Sequence, residues 1–124
     1  MRALIIDDSR AIRAIIARTL RDLGVTETVE AANGQEALEK LRSAGPFQMA
    51  MVDWNMPVMN GYEFVKAARA EVSSEQMKII MCTTETEIDQ VSKALEAGAD
   101  EYVMKPFTPE TIQSKLDMLG LLGT

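Results

Sequence analysis

The sequence predicts an α/β fold, a (βα)5 chain with a parallel sheet sandwiched between two helix layers. Three observations predict it. Short apolar runs recur along the 124 residues, among them Ala3-Leu4-Ile5-Ile6, Met49-Ala50-Met51-Val52 and Ile79-Ile80-Met81-Cys82. Each is the length of a buried strand. Segments with apolar residues at helical spacing lie between them. Strand-like runs alternating with helices imply parallel pairing through right-handed crossovers, and apolar strands imply burial on both faces. A closed eight-stranded barrel needs about twice this length.

The elements follow in order. Ala3–Ile6 is strand one, ended by Asp7-Asp8. Ser9 offers an N-cap, and Ile12, Ile15, Ile16, Leu20 and Leu23 form one helical face up to Gly24. Thr28-Val29-Glu30-Ala31 alternates and reads as an edge strand. After the turn residues Asn33-Gly34, Ala37, Leu38 and Leu41 mark helix two, which Ala44-Gly45-Pro46 ends. Met49–Val52 is strand three, stopped at Asp53, and Pro57 forbids its continuation because it has no N–H to donate. Phe64, Val65 and Ala68 give helix three, and Ile79–Cys82 is strand four, ending at Thr83. Ile88, Val91 and Leu95 mark helix four up to Gly98, and Tyr102-Val103-Met104 is strand five, ending at Lys105-Pro106. Thr108 caps helix five with Pro109 at its first position, and Ile112, Leu116 and Leu119 line its inner face.

The bulk numbers restrict function. Residues 1–124 fit a single domain, with no room for an effector domain. The net charge of −6 makes nucleic acid and anionic membranes poor partners. There is no histidine, so histidine triads and histidine metal ligands are excluded, and the one cysteine, Cys82, excludes an intramolecular disulfide. The first residues reach Asp7 too soon for a signal peptide, and a cytoplasmic monomer is expected.

A parallel sheet brings the carboxyl ends of its strands to one edge, where ligands of open α/β sheets bind. Here that edge collects Asp7, Asp8, Asp53, Thr83 and Lys105. Each has an ordinary use, as a cap, a strand end or a turn. Together they place three carboxylates, one hydroxyl and one ammonium in one crevice. Packed closely, the acids repel and their pKa values are expected to rise. A divalent cation relieves the excess negative charge, and hard oxygen donors favour Mg²⁺ over Zn²⁺. Mg²⁺ held by few carboxylates usually meets a phosphoryl group. Asp53 is then a candidate nucleophile, because carboxylates form aspartyl phosphates. Lys105 and Thr83 are placed to hold phosphoryl oxygens.

The set Asp7-Asp8, Asp53, Thr83 and Lys105 resembles the receiver domain of two-component response regulators. Asp53-Trp54-Asn55-Met56-Pro57 and Lys105-Pro106-Phe107-Thr108 resemble its stand-alone chemotaxis members most. The resemblance spans the whole chain. It implies a flavodoxin-like sandwich with strand order 2-1-3-4-5. It also implies that Asp53 accepts a phosphoryl group from a histidine kinase or phosphotransfer domain. Asp7, Asp8, Asp53 and the Asn55 main-chain carbonyl would serve Mg²⁺, Asp7 largely through water. Thr83 and Tyr102 would form the switch, and Asn55 and Glu85 would tune dephosphorylation. The Lys105-Pro106 bond is expected to be cis. The face of helix four, strand five and helix five would bind a target, such as a flagellar motor switch. The chain departs from the chemotaxis pattern at Thr84-Glu85-Thr86-Glu87-Ile88-Asp89, an acidic stretch where those proteins carry lysines.

Other readings compete. A phosphorelay intermediate or phosphate sink would use the same residues without direct output. A phosphatase of the haloacid dehalogenase kind also uses Mg²⁺ and an aspartate, but that aspartate follows strand one in an Asp-x-Asp pattern, whereas this chain has Asp7-Asp8-Ser9. A flavin-binding electron carrier needs a phosphate loop after strand one, where Asp7-Asp8 repels phosphate. The sequence therefore favours a signalling switch over an enzyme.

Overall fold

The structure, a computed structural model, describes residues 1–84 and 89–122. Five strands and five helices alternate among the described residues. They are β1 (Arg2–Ile6), α1 (Arg10–Asp22), β2 (Glu27–Ala31), α2 (Gly34–Ala44), β3 (Met49–Asp53), α3 (Gly61–Arg69), β4 (Lys78–Thr83), α4 (Val91–Ala97), β5 (Glu101–Met104) and α5 (Pro109–Met118). All four strand pairings are parallel, in the order β2-β1-β3-β4-β5.

The alternation of side chains along the strands splits the core into two layers. Leu4, Ile6, Ala50, Val52, Ile79 and Met81 face α2, α3 and α4. Ala3, Ile5, Met49, Met51, Ile80 and Cys82 face α1 and α5. Every residue of β3 is buried, as expected for the central strand. β2 is an edge strand with a polar, exposed start.

Local chemistry sets the helix starts. Ser9, Asn33 and Thr108 each accept a hydrogen bond from the third residue onward, Ile12, Glu36 and Thr111. Asn60 and Glu63 form a reciprocal capping box that starts α3 beside the β3–α3 loop. Gln90 gives α4 no side-chain cap.

Two expectations change. Ile15 is 54% exposed, because Ile16 and Leu20 point into the core and Ile15 lies about 100° round the helix from Ile16. Leu95 is 42% exposed, while Val91 and Ala94 bury that side of α4. Ile88, expected in helix four, lies outside the described residues.

Candidate functional site

The carboxyl ends of β1, β3, β4 and β5 meet at one edge. Asp7 and Asp53 are buried there, and Asp8 is exposed. One carboxylate oxygen from each of the three lies within 4.8 Å of the others. The Lys105 ammonium donates to Asp53 Oδ1 at 2.7 Å and to Asp7 Oδ2 at 3.2 Å.

Each group is held from behind. Asp7 Oδ1 accepts from the Ser9 N–H at 2.8 Å, so the residue that caps α1 also fixes the acid. Arg13 reaches back from α1 to donate to the Asp7 carbonyl at 2.6 Å and pairs with Glu30 at 2.9 Å. The Lys105 N–H donates to the Thr83 carbonyl at 2.7 Å, which ties the lysine to the end of β4. The Lys105-Pro106 bond is cis, as expected.

The loop after Asp53 is folded tightly. Trp54 N–H donates to the Cys82 carbonyl at 3.2 Å, and Gly61 N–H donates back to the Trp54 carbonyl at 2.9 Å. A β-carbon on Gly61 would overlap the Asp53 carbonyl and press on Trp54. Gly34 N–H holds the Met59 carbonyl at 3.0 Å. Val58 sits at φ +69°, a backbone region that costs a β-branched residue strain, and is 80% exposed. Trp54 stacks on Tyr62 with ring centroids 5.8 Å apart.

Thr83 is fully buried, and its hydroxyl turns to the Val103 carbonyl at 3.5 Å. Tyr102 is half-buried on the adjoining strand. Asn55 is exposed in the β3–α3 loop. Glu85 lies outside the described residues.

The electrostatics follow from burial. Asp53 is raised above the ordinary carboxylate range, chiefly by desolvation and secondarily by the nearby Asp7 and Asp8 charges, against the opposing pull of Lys105. Repulsion between acids, the cause expected from sequence, is thus the smaller contribution. Burial works to lower the Lys105 ammonium, but the hydrogen bonds and charges of Asp53 and Asp7 outweigh it and raise it. Cys82, paired with Asp53 in register, is buried, and its thiol is pushed up to about 12 by desolvation.

Sequence reasoning missed two features. Arg13 was legible only as one of several arginines on α1. A cleft of about 340 Å³ opens beside Lys105, lined by Ile12, Ile15, Pro106 and Phe107. The signal for it was present, in Ile15 and in the apolar pair after Lys105, but helical periodicity assigned Ile15 to the core.

A lysine thus joins two buried acids, with a third acid at the rim and a threonine on the next strand. Response regulator receiver domains match residues 3–117. The chain belongs to that family. A chemotaxis protein CheY1 of Helicobacter pylori is 44% identical over 124 residues, spanning 100% of this chain and 98% of that protein. A chemotaxis protein CheY homologue of Campylobacter jejuni is 46% identical, spanning 97% of this receiver and 93% of the relative. The structure of the Vibrio cholerae chemotaxis response regulator CheY4 superposes with a TM-score of 0.85 at 40% identity, covering 95% of this receiver and 97% of that chain.

Proposed function

We propose that this receiver is a phosphorylation-activated signalling switch of chemotaxis, with Asp53 as its phosphoacceptor. The observation that supports it best is Lys105 bridging Asp53 and Asp7 within the three-acid cluster. The donor that membership of the receiver family implies is a phosphohistidine on a sensor kinase or phosphotransfer domain. Asp53 attacks phosphorus through a carboxylate oxygen. The P–N bond breaks, its electron pair stays on the imidazole nitrogen, and that nitrogen takes up a proton. The apolar cleft beside Lys105, lined by Ile12, Ile15, Pro106 and Phe107, is read as the donor's seat.

The acidic, all-oxygen cluster fits Mg²⁺, with Asp7, Asp8 and Asp53 as the residues that would hold it together with the Asn55 carbonyl. Bound there, the ion supplies charge neutralisation for the phosphoryl oxygens. Lys105 is already hydrogen-bonded to Asp53 and is placed to pair with a phosphoryl oxygen. Thr83 must leave the Val103 carbonyl to donate to another. That movement opens space beside β4, which the Tyr102 ring can fill from the adjoining strand. The face of α4, β5 and α5 then presents the change to a target, with a flagellar motor switch as the candidate. Asn55 and Glu85 are read as residues that set the phosphoryl lifetime. Catalysis is confined to the protein's own phosphoryl transfer and loss.

Incubation with a small-molecule phosphodonor and Mg²⁺ should add one phosphoryl group to the parent and none to Asp53→Asn. Equal uptake by both would overturn the assignment. Mg²⁺ should also alter Trp54 fluorescence in the parent, and the same titration curve in Asp8→Ala would remove Asp8 from the metal site.

A further inference from the structure

The Lys115 ammonium stands 4.9 Å from the centre of the Tyr102 ring. It also donates to Glu101 Oε1 at 2.9 Å. The same Glu101 oxygen accepts the Tyr102 main-chain N–H at 3.1 Å. Three side chains therefore close a ring of contacts: carboxylate to ammonium, ammonium to aromatic face, and carboxylate back to the tyrosine's own backbone. Lys115 and Glu101 are mostly shielded, with side chains 22% and 18% exposed. Shielding strengthens a cation over an aromatic face. Burial would raise the Glu101 carboxyl, but the bonds from Lys115 and Tyr102 N–H outweigh it and hold it below the ordinary carboxylate range, so the carboxylate stays charged.

The location gives these contacts a role. β5 is an edge strand with β4 on its inner side. Tyr102 opposes Met81 and Met104 opposes Thr83 across that pairing. The Thr83 hydroxyl donates to the Val103 carbonyl at 3.5 Å, so on the phosphoacceptor reading it is not yet committed to a phosphoryl oxygen. Lys115 comes from α5, and Tyr102 packs against the buried cluster that contains Met81 of β4; a ring that moved further toward β4 would leave the ammonium behind.

We propose that Lys115 is a positioning residue that holds the Tyr102 ring in the unphosphorylated state and so sets the threshold of the switch. The proposal rests on the phosphoacceptor reading above. A contact present in one state and lost in the other shifts the equilibrium between them by its own strength. Removing it favours the engaged state, so a phosphoryl mimic must bind more tightly.

The test is a double-mutant cycle on the full chain, using Mg²⁺ with beryllofluoride as the phosphoryl mimic. Lys115→Met keeps the aliphatic stem and removes the charge. It should bind beryllofluoride about 2- to 5-fold more tightly than the parent, the range that a cation over an aromatic ring supplies. Before any mimic is added, its Tyr102 ring resonances should already lie part-way toward the parent's mimic-bound positions. Lys115→Arg should restore both properties. In a Tyr102→Leu background, Lys115→Met should change the affinity little. An unchanged affinity and unchanged ring resonances in Lys115→Met, with a parent that responds, overturn the positioning role alone. So does a full effect that survives in the Tyr102→Leu background, since that marks a general charge effect. A parent that shows no response to the mimic overturns the phosphoacceptor reading, and the positioning role with it.

Discussion

The Lys105 ammonium lies 2.7 Å from Asp53 Oδ1, joining residues 52 positions apart in sequence. It therefore offsets the charge of Asp53, the proposed phosphoacceptor, in the unphosphorylated protein. Lys105→Met should leave the Asp53 and Asp7 carboxylates under-compensated and cost about 3–5 kcal/mol of stability, the penalty for removing one partner of a buried ion pair. Mg²⁺ should bind this variant more tightly and recover part of the loss. Urea unfolding with and without Mg²⁺ measures both, and equal losses in the two conditions would contradict the shared-charge account.

Asp53 should limit stability at neutral pH. Its folded pKa lies above the unfolded value, chiefly because of burial. Below the unfolded pKa the group is neutral in both states and contributes nothing. Between the two values the folded state binds more protons, so stability falls as pH rises. Above the folded pKa the whole penalty stands. Asp53→Asn keeps an acceptor for Lys105 and removes the charge. Its melting temperature should exceed the parent's at neutral pH, and the difference should close in acid.

The same shift governs reactivity. On the phosphoacceptor reading, only the carboxylate form of Asp53 attacks phosphorus. Phosphorylation by a small-molecule donor should therefore fall as pH drops through the folded pKa of Asp53, and more Mg²⁺ should move that fall to lower pH, because a bound cation opposes the burial that raises Asp53 in the metal-free fold. A fall whose position ignores Mg²⁺ would contradict this account.

Gly61 lies so close to the Asp53 backbone that a β-carbon on it would overlap the Asp53 carbonyl oxygen. Gly61→Ala should cost about 1–3 kcal/mol by overpacking, because the clash is with the main chain at Asp53 and Trp54 and no flexible side chain can give way. Its phosphorylation rate should drop further than its remaining folded fraction explains. Circular dichroism and phosphodonor uptake on the same samples separate the two effects.

Cys82 should report unfolding. It is buried with its thiol pushed up to about 12, so little thiolate forms in the fold at mildly alkaline pH. Alkylation should track global opening, with a rate that follows urea stability across the variants above.

Much of this was legible in the sequence. The strand ends were readable because apolar runs stop abruptly at Asp7, Asp53, Thr83 and Lys105, and parallel topology then gathers them without any knowledge of distances. The caps Ser9 and Thr108 were readable because their chemistry is local. Ile15 was misplaced because periodicity gives a direction round a helix and not the width of what packs on it. Leu95 fails for the same reason. The Lys115–Tyr102 contact was invisible, since a surface lysine on α5 has no sequence signal that names its partner.

The opposite end of the sheet was equally silent in sequence. Arg69 there donates to the carbonyls of Gly98 and Met77 and pairs with Asp100 at 2.7 Å. Asp100 in turn accepts from Ile79 N–H at 2.8 Å and from the Ser74 hydroxyl. One arginine thus pins the end of α4, the entry to β5 and the start of β4 to α3. Whatever Thr83 and Tyr102 do at the carboxyl ends, these three elements are clamped at the other. The clamp would serve as a fulcrum: a local tug on β4 would become a tilt of α4 and β5 about their rooted ends, with the largest sweep at the tips nearest Asp53.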